Sequence, residues 1–422
     1  MKEIELKGMK FKALGGFGEV GRNGVLIDPN GEEIVFDYGL NVEEGTPPIK
    51  VQPKSVFVSH AHLDHIGSVP SLFFSGTPSI FSTVSTFDLG ELILKDSIKV
   101  AKANGKSPLF GDKQLELMKM NQHRVTYGQQ FEVGKALVDV IDAGHIPGSC
   151  MFLVKLFKKN ILYTGDLKLK PTQLLAGARI ENLEKVDVLF TESTYSNRLH
   201  PDRAETERKL IEAVEDTIGN GGIAIIPSFA VGRAAEVAMI LDRIAGSIPV
   251  YLDGMAREAT DIALRYPEFL RDPAALKKAL EDVYPLYTEE ERAEALKKPC
   301  AIITTGGCVD GGPSASYIKK LYNRPECSLI FVGFQIPETA GKVLQDTGRF
   351  VQNGFDQKVK MKTEFLDFSA HADRGELLEF IKKVTPEKIF VMHGDQCENF
   401  AAELNGMGFD SAAPKNGDIG EI

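Results

Sequence analysis

Three imidazoles and a carboxylate crowd into His60-Ala61-His62-Leu63-Asp64-His65, in a chain that has only 8 histidines. The run before them, Ser55-Val56-Phe57-Val58-Ser59, is apolar and β-prone, so the cluster falls where a buried strand breaks into a loop. His60 and His62 alternate along an extended stretch and can point the same way, while Asp64 and His65 turn elsewhere. Imidazole is the commonest ligand of Zn2+ and its neighbours, and a carboxylate adds a hard anionic oxygen. One loop can therefore hand ligands to two metals. It cannot complete either site, so the fold must bring further donors to the same place.

The chain has 422 residues, long enough for two domains. With 43% hydrophobic and 26% charged residues its composition is that of an ordinary globular protein. The longest apolar runs, such as Gly222-Ile223-Ala224-Ile225-Ile226, are far short of a membrane span. Met1-Lys2-Glu3-Ile4-Glu5-Leu6-Lys7 lacks the apolar core of a signal peptide, so a cytoplasmic protein with no membrane contact is expected. Cys150, Cys300, Cys308, Cys327 and Cys397 are scattered, odd in number and without C-x-x-C pairing; each reads as a small buried residue. A formal charge of -10 gives no support for a broad nucleic-acid surface, although a basic groove can exist on an acidic molecule.

Short strands dominate the first half. Gly24-Val25-Leu26-Ile27-Asp28 and Glu33-Ile34-Val35-Phe36-Asp37 flank Pro29-Asn30-Gly31 and read as a hairpin. Further strands are expected at 136–141, 151–156 and 160–164, with a helix over 87–103. From about Ala204 the texture becomes helix–strand alternation: helices over 205–218 and 233–245, strands ending at Pro227 and spanning 248–252. That pattern predicts a parallel sheet flanked by helices in a second module. Residues 272–298, rich in Ala, Leu, Glu and Lys, read as helical surface. After Phe365 the chain returns to short, histidine-bearing strands. The expected division is 1–203, an inserted module 204–361, and 362–422 completing the first domain.

Gly16-Phe17-Gly18-Glu19-Val20-Gly21 matches the dinucleotide fingerprint G-x-G-x-x-G, which requires a helix directly after it to hold the pyrophosphate. A hairpin is expected there instead, so the stretch reads as a glycine turn between strands. The remaining donors sit at strand ends or between glycines: His145 in Gly144-His145-Ile146-Pro147-Gly148, Asp166 after Tyr163-Thr164-Gly165, and His393 after Ile389-Phe390-Val391-Met392. Any one of them alone is more often a hydrogen-bonded structural residue than a ligand. His123 and His200 lack such contexts and read as surface or structural.

The order Asp37, His60-x-His62-x-Asp64-His65, His145, Asp166 resembles the metal motif set of the metallo-β-lactamase fold, an α/β αββα sandwich. Phe190-Thr191-Glu192-Ser193-Thr194-Tyr195, Phe368-Ser369-Ala370-His371-Ala372-Asp373 and Met392-His393-Gly394-Asp395 resemble the blocks of its β-CASP branch. Pro227-Ser228-Phe229-Ala230-Val231-Gly232-Arg233 and Gly311-Gly312-Pro313-Ser314 resemble further blocks. The likeness is to archaeal or bacterial relatives of the endonuclease subunit of the cleavage and polyadenylation specificity factor, with RNase J more distant. Without an N-terminal extension, a member lacking KH domains is expected. Cys308 stands where relatives often carry methionine.

The resemblance implies two Zn2+ ions, one on His60, His62 and His145, the other on Asp64, His65 and His393, with Asp166 bridging. Asp37 would accept a hydrogen bond from a ligand imidazole. It implies a ribonuclease acting on single-stranded RNA in RNA processing or decay, endonucleolytic or 5′→3′ exonucleolytic, and a homodimer by family analogy. Asp64, Glu192 and His371 would be catalytic, His371 donating a proton while held by Glu192 from the β-CASP side. Arg233, Lys342 and Ser314 are candidates for RNA contact, with solvated surface an equal reading for the two cations. Two rivals stay open: a hydrolase of a small thioester or lactone, which needs neither Glu192 nor His371, and a non-catalytic RNA-processing subunit, which would tend to lose metal ligands.

Overall fold

The computed structural model describes residues 9–28 and 33–422. Two compact units separate. The first takes in the chain up to Pro171, Gly177–Leu199 and His371–Ile422; the second takes in Thr172–Ala176 and His200–Ala370.

Two seven-stranded sheets build the first unit. One runs in the order Ile419–Glu421, Lys10–Gly15, Gly24–Asp28, Ile34–Phe36, Ser55–Phe57, Ser79–Thr83, Gln122–Val125. The other runs Ser411–Ala412, Lys388–Met392, Val188–Glu192, Lys159–Tyr163, Cys150–Leu156, Ala136–Asp142, Gln130–Val133. Gly24–Asp28 and Ile34–Phe36 pair antiparallel, as the hairpin reading requires, while Pro29-Asn30-Gly31 lies outside the described residues. Gly16 to Gly21 leads into the strand Gly24–Asp28 and not into a helix, so no dinucleotide site forms there.

Alternation along each strand feeds two apolar layers. Phe11, Phe36, Phe57, Phe152, Phe190 and Phe390 fill the space between the sheets. Residues of opposite parity, such as Leu189 and Val391, meet Leu377, Phe380, Phe400 and Leu404 from the helices Arg374–Val384 and Cys397–Gly406. Val56 and Ile80 likewise meet Phe87, Leu94 and Ile98 of the helix Val84–Ala103. The result is the expected αββα sandwich.

The second unit centres on a six-stranded sheet, Val283–Leu286, Val250–Asp253, Cys300–Thr305, Ile223–Ser228, Ser328–Phe331, Lys362–Phe365, parallel throughout. Helices Arg203–Gly219 and Arg233–Ala245 cover one face, Gly312–Leu321 and Ala340–Thr347 the other. Residues 272–298 depart from the helical expectation. Asp272 and Thr288 cap two short helices, Pro273–Ala279 and Glu289–Ala295, and between them Val283–Leu286 joins the sheet edge beside Val250–Asp253. Val283 and Tyr284 are strand formers, and pairing with an open edge overrides the composition around them. All five cysteines are buried, and no disulfide forms among the described residues. No helix there is long and apolar enough to cross a membrane.

Phe190 is fully buried, with ring centroids 5.1 Å from Phe11 and 5.0 Å from Phe390. Phe190→Ala should destabilise the first unit by about 3–5 kcal/mol, read as a lower denaturation midpoint; an unchanged midpoint would refute this account of the core.

Candidate metal centre

Three neighbouring parallel strands of the second sheet end on the same side: Lys159–Tyr163, Val188–Glu192 and Lys388–Met392. Glu192 closes its strand, and Asp166 and His393 come just past the ends of theirs. In the first sheet the parallel strands Ile34–Phe36 and Ser55–Phe57 release Asp37 and the His60–His65 loop. His145 comes from the turn joining Ala136–Asp142 to Cys150–Leu156. Glycine allows the close approach: Gly165 adopts φ +53, and a Cβ there would lie 2.5 Å from Ser59 Cβ.

Two donor sets result, and Asp166 serves both. His62 Nδ1 lies 3.1 Å from His60 Nε2 and 3.1 Å from His145 Nε2, while Asp166 Oδ2 is 3.3 and 3.4 Å from the latter two. On the other side Asp166 Oδ1 is 3.2 Å from His65 Nε2 and 3.3 Å from His393 Nε2, and Asp64 Oδ2 is 3.8 and 3.7 Å from those nitrogens. Zinc–nitrogen bonds of about 2.0–2.1 Å imply a tetrahedral edge of about 3.3 Å, so the first set matches a zinc tetrahedron closely and the second is slightly wider. Asp166 Oδ1 is buried without a hydrogen-bond partner, which fits an oxygen that a cation would take.

The electrostatics agree. Burial lowers the His60, His62 and His145 imidazoles, with neighbouring histidines adding to it, and His62 is brought down to about 3. These rings are neutral and keep lone pairs for a metal. Burial also disfavours a charge on His65 and on Asp166, yet their mutual attraction prevails, with His65 held above and Asp166 below its usual range. The carboxylates around His65 make a field that favours positive charge.

Beneath the donors sits Asp37, fully buried with φ 52. Its Oδ2 accepts from His65 Nδ1 at 2.6 Å, Tyr163 Oη at 2.7 Å and Ser59 Oγ at 2.7 Å, and its Oδ1 accepts from Ser59 N at 2.7 Å. This fixes the Nδ1–H tautomer of His65 and aims Nε2 at Asp166. Asn23, also buried, lies 2.8 Å from His393 Nδ1 and 3.0 Å from His65 Nε2. Ser59, Tyr163 and Asn23 escaped the sequence reading; nothing in their local pattern sets them apart, because their partners are remote in sequence.

Glu192 and His371 meet inside the first unit, not across two modules as the resemblance implied. His371 Nδ1 lies 3.2 and 3.3 Å from the two Glu192 oxygens, and Glu192 Oε1 also accepts from Leu167 N at 2.7 Å. Burial pulls His371 down, but Glu192 and then Asp166 outweigh it and raise the imidazole to about 9. His123 is exposed and stacks on Phe81, and His200 pairs with Asp367. Arg233, Lys342 and Ser314 belong to the second unit. Arg233 is buried and pairs with Glu236, Lys342 pairs with Asp346 at 2.7 Å, and the buried Ser314 hydroxyl donates to Gly306 O at 2.9 Å.

Comparison with known proteins adds the following. Residues 17–218 match the metallo-β-lactamase superfamily, 234–344 the Beta-Casp domain, and 356–414 the Zn-dependent metallo-hydrolase RNA specificity domain. The chain is 34% identical to Probable RNase MJ4 of Methanocaldococcus jannaschii, over 95% of this chain and 97% of that one. It is 36% identical to RNase aCSPSF2 of Saccharolobus solfataricus (96% and 84%), and 34% identical to Transcription termination factor FttA of Pyrococcus horikoshii (98% and 71%). A crystal structure of a protein of unknown function from Enterococcus faecalis V583 shares the fold, with TM-score 0.62 at 15% identity, covering 98% of this chain and all of that one. The chain belongs to the metallo-β-lactamase superfamily, in the branch that carries Beta-Casp and RNA-specificity domains.

Proposed function

We propose that this chain is a zinc-dependent ribonuclease that hydrolyses phosphodiester bonds of single-stranded RNA. The observation that carries the reading is a carboxylate, Asp166, shared by two donor sets with the Glu192–His371 pair beside it. His60, His62 and His145 with Asp166 Oδ2 would hold one zinc ion; Asp64, His65 and His393 with Asp166 Oδ1 would hold the other. Bound there, two cations supply Lewis acidity to the phosphate oxygens and lower the pKa of the attacking water.

The chain's own residues do the remaining tasks. Asp37 keeps the proton of His65 on Nδ1, so Nε2 faces the centre. Asp64 and Asp166 bring the negative charge that a divalent ion needs. The 3′-oxygen leaving from a phosphodiester is a strongly basic alkoxide, so it needs a proton as the bond breaks. His371 meets that need: Glu192 holds Nδ1–H, and Nε2 carries the transferable proton. At neutral pH an imidazole raised to about 9 is in its acid form. The matched RNA specificity domain and the relatives named as RNases support RNA as the substrate. A thioester hydrolase, whose leaving thiolate needs no proton, would leave this pair without a task.

Asp37→Asn should weaken zinc retention about 10–100-fold with the fold intact, measured by competition with a chelator; unaltered retention would remove Asp37 from the centre. The pH dependence has a definite sign. His371 is protonated below about 9, so kcat/KM should be level below that pH with respect to this group and fall as pH rises through it. Burial then acts unopposed by its main counterweight in Glu192→Gln, so the falling limb should move to lower pH. A limb that stays in place would sink the Glu192–His371 assignment.

Zinc-loaded protein should also be incubated with RNAs labelled at either end, bearing a 5′-monophosphate or a 5′-hydroxyl. Internal cleavage of both is expected. Release of mononucleotides only from the 5′-monophosphate RNA would turn the reading to a 5′→3′ exonuclease, and no cleavage of any RNA would end it.

A further inference from the structure

Residues 166–170 run from the shared carboxylate past Glu192 to the main chain of His371. Asp166 stands between the donor sets. Leu167 N–H donates to Glu192 Oε1, and the Leu167 carbonyl accepts from Ala372 N, the residue after His371. Lys168 then sends its ammonium back: Nζ donates to the His371 carbonyl oxygen at 3.1 Å and to Glu376 Oε2 at 2.7 Å. This lysine is only 6% exposed.

Its partner is held as firmly. Glu376 is 1% exposed, and its Oε1 accepts from Leu169 N at 3.1 Å and Lys170 N at 2.8 Å. It lies in the first turn of the helix Arg374–Val384, which Asp373 caps by accepting from Glu376 N at 2.9 Å. The pair therefore ties one end of the Asp166 segment to the helix that follows His371. A buried ammonium is costly unless it is fully bonded, and a lysine offers three donors that a carbonyl and a carboxylate can share. An apolar residue would fill the same volume without reaching the His371 carbonyl.

We propose that Lys168 is a positioning residue for proton transfer: its ammonium fixes the His371 main chain so that the imidazole stays seated on Glu192. The inference rests on the reading of His371 as proton donor. It differs from a purely structural role in one respect. A general acid matters for a poor leaving group and little for a good one. Disturbing its seat should therefore hurt RNA with an ordinary 3′-oxygen, and spare RNA whose scissile linkage carries a bridging 3′-sulfur, which departs as a thiolate without a proton.

The test compares wild type, Lys168→Met, Lys168→Arg and His371→Gln on these two RNAs, with bound zinc measured for each. For Lys168→Met, kcat on the oxygen RNA should fall about ten- to a hundredfold with KM within about twofold. The loss should shrink to less than about threefold on the sulfur RNA, zinc content should match wild type, and Lys168→Arg should restore part of the rate. Because Lys168→Met leaves Glu376 buried and unpaired, Lys168→Met with Glu376→Gln serves if the single variant does not fold. Equal losses on both RNAs, or no loss on either, would overturn the positioning role. If His371→Gln itself loses both RNAs equally, the proton-donor reading falls; if His371→Gln is selective and Lys168→Met is not, only the role of Lys168 falls.

Discussion

The Asp37 carboxylate is the point from which the candidate metal centre is built. A fully buried carboxylate is costly to desolvate, and four short hydrogen bonds offset that cost. The donors come from both sheets: Ser59 and His65 follow a strand of the first, Tyr163 ends a strand of the second. Burial, and then the Asp37 charge, raise the Tyr163 phenol, so it remains a donor to Asp37 throughout the physiological range. One anion thereby locks the two strand edges together and sets the proton on a donor ring. Asp37 and His393 both hold left-handed backbone, which costs of order 1–3 kcal/mol at a non-glycine residue. Such strain persists where the surroundings dictate it, and here it lies on the two sides of one centre.

From that anchor the architecture explains the donor geometry. Adjacent parallel strands end together, so residues at or a few positions past their ends share one rim whatever their separation in sequence. Asp166, Glu192 and His393 emerge this way from three neighbouring strands. Because Asp166 has two carboxylate oxygens, each can face a different set of imidazoles. The segment after it carries the bond to Glu192, so the proposed metal bridge and the proposed acid are joined within two residues.

Much of this was legible in the chain, and the reasons are physical. His60 to His65 stood out because three imidazoles rarely gather without a cation. His145, Asp166 and His393 could be enlisted because strand ends and glycine turns mark where side chains converge. Glu192 and His371 were reachable only through family resemblance, since nothing local distinguishes a catalytic carboxylate from a structural one. Tyr163, Ser59, Asn23 and Lys168 were invisible because each acts on a partner distant in sequence, as Tyr163 does on Asp37. The strand Val283–Leu286 was hidden by helix-forming neighbours, and only the open edge beside Val250–Asp253 decides it. Arg233 and Lys342 looked like cations available to phosphate, but each faces a carboxylate three or four residues along its own helix.

Leaving-group chemistry separates the readings that a dinuclear centre alone cannot. A thiolate leaves unaided, and a site built for a thioester has no use for an acid at the departing atom. A ribose 3′-oxygen does need one. In this chain Glu192 is 1% exposed, placed beside the anionic Asp166 sphere at a cost that hydrogen bonds from Leu167 N and His371 must meet. The arrangement makes chemical sense if His371 must stay protonated while three nearby rings must not: the imidazoles of His60, His62 and His145 are lowered by burial and by neighbouring histidines, and His371 is raised by carboxylates. Histidines a few ångströms apart are thus shifted in opposite directions, three lowered by burial and His371 raised by carboxylates, as the proposed roles need. A proton donor at the departing atom is what the proposed phosphodiester reaction needs and a thioester does not.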